Sequence, residues 1–251
     1  MCGRYLRRSD KQRIAEHFRL GHVAPVPLPA DFNIAPTTHQ PVIRLNRDTG
    51  ERELVLMRWG LVPYHAKSLA DYRGISTINA RAESITSGLW KRLFERHRCL
   101  VPADGFYEWQ TLPSALSGPR AKKPKVAKKP FVFSLNDDLP FAFAGLWDAW
   151  LDPTTSQWLQ SFSIVTTESN ELLSSIHTRM PVILEPRHYA RWLDRTPGTP
   201  LPLDLLRPYD SSSMRSHPAN PKVNNARNNG EEMLHPPSEE PQDGDLPLNP
   251  A

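Results

Sequence analysis

The sequence predicts an α+β fold with a mixed, curved, barrel-like β-sheet core and flanking short helices. Strand-like runs outnumber helical ones, and no regular βαβ alternation appears that would signal a doubly wound sheet. The 251 residues also include 26 Pro against 12 Gly. Proline fixes φ and lacks an N–H, so this content breaks long helices and favours loops and interrupted strands.

Taken in order, residues 9–19 (SDKQRIAEHFR) predict a helix, with Ser9 at its cap and Ile14 and Phe18 one turn apart on one face. The APVPLP stretch after it reads as extended. The runs PVIRL, ELVLMRWGLVP, CLVPADGFYEW, FVFSL, FAFAGLWDAW and SFSIVTT are rich in β-branched and aromatic residues and end at turn formers, so they read as strands. Helices are expected over Ala82–Arg96, capped around Glu83–Ser84, over Asn170–Ile176, and over Pro186–Leu193 with proline at a first helical position. A single domain is expected over residues 1–235. Within it, residues 112–130 form a Pro/Lys-rich loop, read as solvated or, alternatively, as a basic arm touching phosphates. The acidic, Pro-rich tail over 236–251 should be disordered.

Composition narrows the function. The 39% apolar fraction, with seven Trp, suits a folded enzyme or binding domain. The formal charge of +4 permits a polyanionic partner without demanding one. No apolar run reaches membrane-spanning length, and the first residues carry no apolar secretory segment. Two cysteines are not a disulfide framework. An intracellular location, cytoplasmic or nuclear, is therefore expected, with no membrane association and no secretion. No CxxC or His/Cys cluster has zinc spacing, so neither a metal nor a cofactor is expected.

Cys2 follows the initiator Met directly, and Met is usually removed before a small residue. A chain that begins with cysteine carries an α-amine and a thiol on one residue. The amine condenses with an aldehyde, and the tethered thiol then closes a five-membered thiazolidine. Their reference pKa values, about 8 for the amine and about 8.5 for the thiol, leave a minority of each reactive at neutral pH. A neighbouring acid/base group would therefore help. Alone, a cysteine at position two is common and termini are often mobile, so its context decides.

That context is four further segments: FNIAPT (32–37), INARAES (78–84), PADGFYEW (102–109) and IHTRMPVIL (176–184). With MCGRY at the start, and in this order, they resemble the SRAP family, the SOS-response-associated peptidase-like proteins that process abasic sites. The resemblance runs from Met1 to about Pro236. It implies the SRAP fold and a monomer that senses abasic sites in single-stranded DNA. Such a protein protects the lesion by a covalent thiazolidine crosslink through Cys2 and has some capacity for lyase cleavage.

The resemblance also implies site roles. Cys2 falls on the nucleophile and Asn79 on an active-site amide. Glu108 and His177 fall on acid/base positions. Glu108 shares a strand face with Phe106, and a carboxyl held beside apolar rings keeps its proton to higher pH. Imidazole is the usual proton shuttle near neutrality. Arg4, Arg81 and Arg179 match phosphate-holding positions. An internal ion pair, for instance with Glu83, is an equal alternative for any one of them. Asn33 and Pro36 match a loop lining the DNA groove. Trp59 either stacks on a base or belongs to the core. Val223, Asn224 and Asn229 match a closing segment. Cys99 reads as buried core. One departure is the stretch PYHAKSLADYRG, which offers Tyr64 and Tyr72 but no tryptophan for stacking. Two other classes of function stay open: a thiol peptidase or self-processing hydrolase, and a non-covalent single-strand-binding module.

Overall fold

The computed structural model describes residues 2–23, 27–72, 77–112 and 127–237, with only the backbone described at His22 and Val23. Most of the Pro/Lys-rich loop, nearly all of the acidic tail and the start of APVPLP lie outside the described residues.

The core is a barrel of five strands: β4 (His39–Leu45), β5 (Arg52–Trp59), β7 (Arg98–Ala103), β10 (Phe141–Leu151) and β11 (Trp158–Glu168). Neighbours pair antiparallel around it, and a parallel contact of β11 with β5 closes it, with Phe162 opposite Trp59. β2 (His22–Val23) extends β5. β6 (Asn79–Arg81) and β12 (Arg179–Pro181) flank β11, and β13 (Ile183–Leu184) pairs with β10. A second, antiparallel sheet runs β14–β9–β8–β1–β3, comprising Met214–Pro218, Lys128–Leu135, Gly105–Thr111, Tyr5–Arg7 and Asp31–Ile34.

Successive side chains of a strand point to opposite faces, and the alternation separates two cores. Val42, Met57, Trp59, Cys99, Val101, Phe141, Phe143, Phe162 and Ile164 join one cluster, together with Tyr5, Phe106 and Phe133 from the second sheet. Their neighbours Ile43, Leu54, Leu100, Ala142, Ala144, Leu146 and Val165 form the other. That outer layer lies beneath Ile14 and Phe18 of α1 (Lys11–Phe18), Leu93 and Phe94 of α2 (Gly88–Arg96), and Tyr189 and Trp192 of α4 (Tyr189–Leu193). Each such buried large apolar side chain contributes on the order of 1.5–3 kcal/mol. Buried Arg98 ties the helices to the barrel, donating to the carbonyls of Trp192 at 2.6 Å and Glu95 at 3.2 Å, and to those of Phe94 and Asp194. These carbonyls lie at the C-terminal ends of α2 and α4, where a helix leaves acceptors unmet.

Local chemistry moved several helix ends from their expected positions. Asp10, not Ser9, caps α1, accepting from the Arg13 N–H at 2.8 Å. Ser9 is instead turned to Asp104, donating from Oγ at 2.6 Å. The helix expected over 82–96 is a 3-10 turn at Ala82–Ser84 followed by α2 from Gly88. Between them, the N–H and Oγ of Ser87 both donate to the Ser84 carbonyl, at 3.1 and 2.9 Å. Gly88 then takes φ +52°, a conformation only glycine adopts cheaply, so a continuous helix is broken there. The expected helix over 170–176 is α3 (Glu171–Ser174), capped by Asn170. Pro186 opens a 3-10 turn that leads into α4.

The run CLVPADGFYEW splits at Asp104, where the chain leaves the barrel for the second sheet. The Asp104 carboxylate accepts from the N–H groups of Arg8 and Ser9 at 2.8 and 2.9 Å, and its own N–H donates to Leu6 at 3.0 Å. A Cβ on Gly105 would stand 2.8 Å from the Phe133 carbonyl oxygen, a backbone atom that cannot step aside. Gly105→Ala is therefore expected to lower unfolding stability by about 1–3 kcal/mol in denaturant melts. An unchanged midpoint would contradict this account of the corner.

Candidate functional site around Cys2

The segment before β1 runs beside β8 in antiparallel register. Tyr5 lies opposite Phe106, and the Tyr107 N–H donates to the Arg4 carbonyl at 2.9 Å. This pairing carries Cys2 into the core, where it is 0% exposed. The Cys2 thiol lies 3.9 Å from the Arg4 carbonyl oxygen. The Cys2 carbonyl accepts from Asn79 Nδ2 at 2.9 Å. Asn79 opens β6, opposite Ile164 of β11. Since a carbonyl only accepts, this bond fixes the amide's orientation and turns Oδ1 the other way. That Oδ1 is buried with no hydrogen-bond partner among the described residues. A buried acceptor left unmet is costly, so this oxygen is available to a hydrogen-bond donor.

Glu108 lies on β8 opposite Phe131, two residues from Phe106 on the same face, and is 3% exposed. Burial raises its carboxyl to about 7. Burial also pushes the Cys2 thiol well above its ordinary value, and the charge of Glu108 adds to that rise. His177 follows α3 and is half-buried, its N–H bonded to the Leu173 carbonyl at 2.9 Å. Its Nδ1 lies 3.0 Å from the Arg179 amide nitrogen and 3.1 Å from the Arg179 carbonyl oxygen, accepting from the one or donating to the other according to the ring's tautomer. Burial lowers the pKa of His177 and favours the neutral ring. Lys128, at the start of β9, exerts its charge on both Glu108 and His177. Sequence reasoning did not single it out, and its only signal was membership of a lysine run.

The arginines differ in their commitments. Arg179 forms a two-pronged pair with Glu83 at 2.6 and 3.0 Å and donates to the Thr166 carbonyl at 2.7 Å. This is the internal ion pair that stood as the alternative to phosphate binding. Arg4 donates to Asn33 Oδ1 at 2.6 Å and to the Val223 carbonyl at 2.8 Å. Arg81 is exposed on β6, opposite Thr166.

Two of the residues matched to DNA contacts face inward. Asn33 is buried, and its side chain works inward: besides accepting from Arg4, its Nδ2 donates to the Asn225 and Asn228 carbonyls at 3.0 and 2.7 Å. It fastens the closing segment. Trp59 is 0% exposed, donates to the Ile78 carbonyl at 3.0 Å and stacks on Phe162. Its core alternative is therefore what the fold adopts, because no ring face is left for a base. Pro36 is half-buried in a turn where Thr37 takes φ +74°. Asn229 Oδ1 accepts from the Phe32 N–H at 2.8 Å, and Asn224 Oδ1 from Trp109 Nε1 at 2.6 Å. Cys99 is buried in the barrel. Among the described residues no three His, Cys, Asp or Glu side chains converge as a metal site requires, and no helix is long and apolar enough to cross a membrane.

A family model for SOS response associated peptidases (SRAP) matches residues 1–226. The chain is 36% identical over 239 residues to the abasic site processing protein YoaM of Bacillus subtilis, covering 93% of this chain and 97% of that one. It is 33% identical over 220 residues to the abasic site processing protein HMCES of Xenopus tropicalis, covering 81% of this chain and 65% of that one. A crystal structure from Bacteroides thetaiotaomicron shares the fold with TM-score 0.75 at 24% identity, covering 94% of this chain and 99% of that one. A phage-related protein from Bordetella bronchiseptica aligns with TM-score 0.62 at 30% identity, covering 86% and 93%.

The raised Glu108 carboxyl has a consequence for stability. Its folded pKa, about 7, lies above the ordinary 4.5, so the fold favours the protonated form. The resulting stabilisation is complete below about pH 4.5 and is lost as pH rises through 7. Replacing Glu108 with Gln removes this titration. Thermal melts of the Glu108→Gln protein should therefore gain on those of the unmodified protein between pH 5 and 8, and parallel curves would refute the assignment.

Proposed function

The chain belongs to the SOS response associated peptidase (SRAP) family, and from that premise we propose that it processes abasic sites in DNA by covalent capture on Cys2. The observation that carries this reading is Asn79, which holds the Cys2 carbonyl with one end of its amide and leaves the buried Oδ1 unmet at the other. That oxygen suits an incoming donor: the ammonium or amine of Cys2 once Met1 is removed, or a hydroxyl of the opened sugar. Its relatives bear the name of abasic site processing proteins, and an abasic deoxyribose in its ring-opened form presents an aldehyde.

In the proposed reaction the Cys2 amine adds to the aldehyde carbon to give a carbinolamine. Glu108, poised near neutrality, gives a proton to the departing hydroxyl, and water leaves as the imine forms. The Cys2 thiol then adds across the C=N bond. Sulfur bonds to the carbon of the protonated imine, the C=N electron pair passes to nitrogen, and the thiol proton goes to the Glu108 carboxylate, restoring its acid form. The closed thiazolidine masks the aldehyde from lyases and from other amines. Neutral His177 is a proton acceptor or donor for the reverse step and for β-elimination. Single-stranded DNA is the proposed substrate, with Arg4, Arg81 and Arg179 nearest its phosphates and Pro36 beside the groove. The acting species is proposed to be a monomer. The peptidase reading carried by the family description needs an attacking thiolate. Burial holds the Cys2 thiol protonated, so an amine-first sequence fits this cleft better.

Intact mass of protein incubated with an abasic single strand should equal the sum of both partners less one water, stable to denaturant. Cys2→Ala should give no such stable species, and Glu108→Gln should slow its appearance by roughly 100-fold. A denaturant-stable adduct formed by Cys2→Ala would overturn the thiazolidine assignment.

A further inference from the structure

At the other end of β11 from the Cys2 site lies a second surface with nucleic-acid chemistry. β6 and Asn79 meet β11 at Ile164, and β12 meets it at Thr166–Glu168. Trp158 begins this strand, six positions before Ile164, so it stands roughly 20 Å along the strand from the pairing with Asn79 at ~3.3 Å per residue. An open groove of about 690 Å³ lies at that far mouth, between the end of β4, the C-terminal end of α2 and the segment after α4. It shares Leu45 and Arg47 with an adjoining hollow that Trp158 lines.

The groove's cations exceed its anions. Four arginines line it, Arg47, Arg92, Arg96 and Arg195, against one carboxylate, Asp194. Arg92 is neutralised by buried Asp148 at 2.5 Å and laid over the Tyr64 ring at 4.5 Å. In the adjoining hollow Arg44 is paired with Glu53 at 2.8 Å, and Asp48 lies nearby. Among the described residues Arg47, Arg96 and Arg195 have no carboxylate at ion-pair distance. The pKa of Arg195 is lowered by burial and then by the charges of Arg47 and Arg44, as expected where cations face one another. In the adjoining hollow, which Arg47 also lines, Trp158 is 68% exposed. Unneutralised guanidinium groups next to an open aromatic face suit phosphates and a stacked base together.

We propose that this groove is a second binding track for single-stranded DNA, in which Arg47, Arg96 and Arg195 hold phosphates and Trp158 stacks a base. The inference takes from the reading above only that the polyanion is DNA, and it does not depend on Cys2 chemistry. A strand engaged at both mouths of the barrel gains by effective concentration, so the track would matter for long strands and not for short ones.

The test is fluorescence anisotropy with undamaged single strands of about 8 and about 40 nucleotides, on the full chain carrying Arg47→Glu with Arg96→Glu, or Trp158→Ala. These residues are exposed, and thermal melts confirm that each variant is folded. The double variant should bind the long strand at least several-fold more weakly, with the slope of log K on log salt shallower by about 1.4, as for two lost phosphate contacts. Trp158→Ala should weaken the long strand roughly 5-fold or more. The short strand, and its covalent adduct yield when abasic, should be unaffected. Unchanged long-strand binding, or an equal loss for both lengths, would each overturn the proposal. Failure of adduct formation with the unmodified protein would instead count against the Cys2 chemistry and leave this measurement standing.

Discussion

The arrangement depends on one constraint: the segment around residue 2, which in most chains would be solvated and mobile, is held inside the core. Three contacts do this together. β1 pairs with β8 through Tyr5 and Phe106, the Tyr107 N–H takes the Arg4 carbonyl, and Asn79 takes the Cys2 carbonyl. The first two are ladder bonds that any short strand can make. The third comes from 77 residues away and belongs to the barrel, so it sets Cys2 against the barrel as well as against its own sheet. The same burial shifts Glu108, the Cys2 thiol and His177, each toward its uncharged form. Geometry and protonation in this cleft therefore share one cause.

How much of this was legible in the sequence depended on whether the signal was local. The barrel strands showed in β-branched and aromatic runs that end at turn formers, and Glu108 could be placed on the buried face because period two ties it to Phe106. The closure of the barrel by a parallel β5–β11 contact has no such signature, since it joins residues about a hundred positions apart. The short strands at Asp31–Ile34, Asn79–Arg81 and Arg179–Pro181 are made by their neighbours rather than by their own composition. The helix ends moved because Ser, Thr and Asp side chains choose among several nearby backbone partners. Asp10 against Ser9, and Ser87 against Ser84, are contests that only tertiary context decides. Asn33 and Trp59 show the limit for site residues: a motif position says that a side chain matters, not whether it faces inward or out.

The arginines sort by the same criterion. The pair of Arg179 with Glu83 leaves the glutamate side chain 55% exposed, and an ion pair that open to water is worth ~0–1 kcal/mol. An arriving phosphate can replace it at small cost while the Thr166 carbonyl keeps the guanidinium aimed. Arg4 is different. Its bonds to Asn33 and to the Val223 carbonyl fasten β3 and the closing segment to the strand that carries Cys2. Removing Arg4 would loosen the setting of Cys2 as well as subtract a charge, and the two effects would arrive together in any binding measurement.

In the proposed reaction, burial also orders the steps. Before DNA arrives burial holds the Cys2 thiol protonated and Glu108 near neutrality, and the terminal amine must shed its proton before it can attack. The protonated imine then fixes a positive charge, covalently held, beside both groups. A nearby cation favours the ionised form of a carboxyl and of a thiol alike. Glu108, having given its proton to the departing water, is then held as a carboxylate and can accept the thiol proton. Sulfur becomes nucleophilic only once the carbon it must attack has become electrophilic. Ring closure neutralises the iminium. A site that buried its groups less deeply would keep a standing thiolate, open to oxidation and to other electrophiles. In the proposed order, desolvation holds the thiol back until the iminium is in place and the Glu108 carboxylate can take its proton.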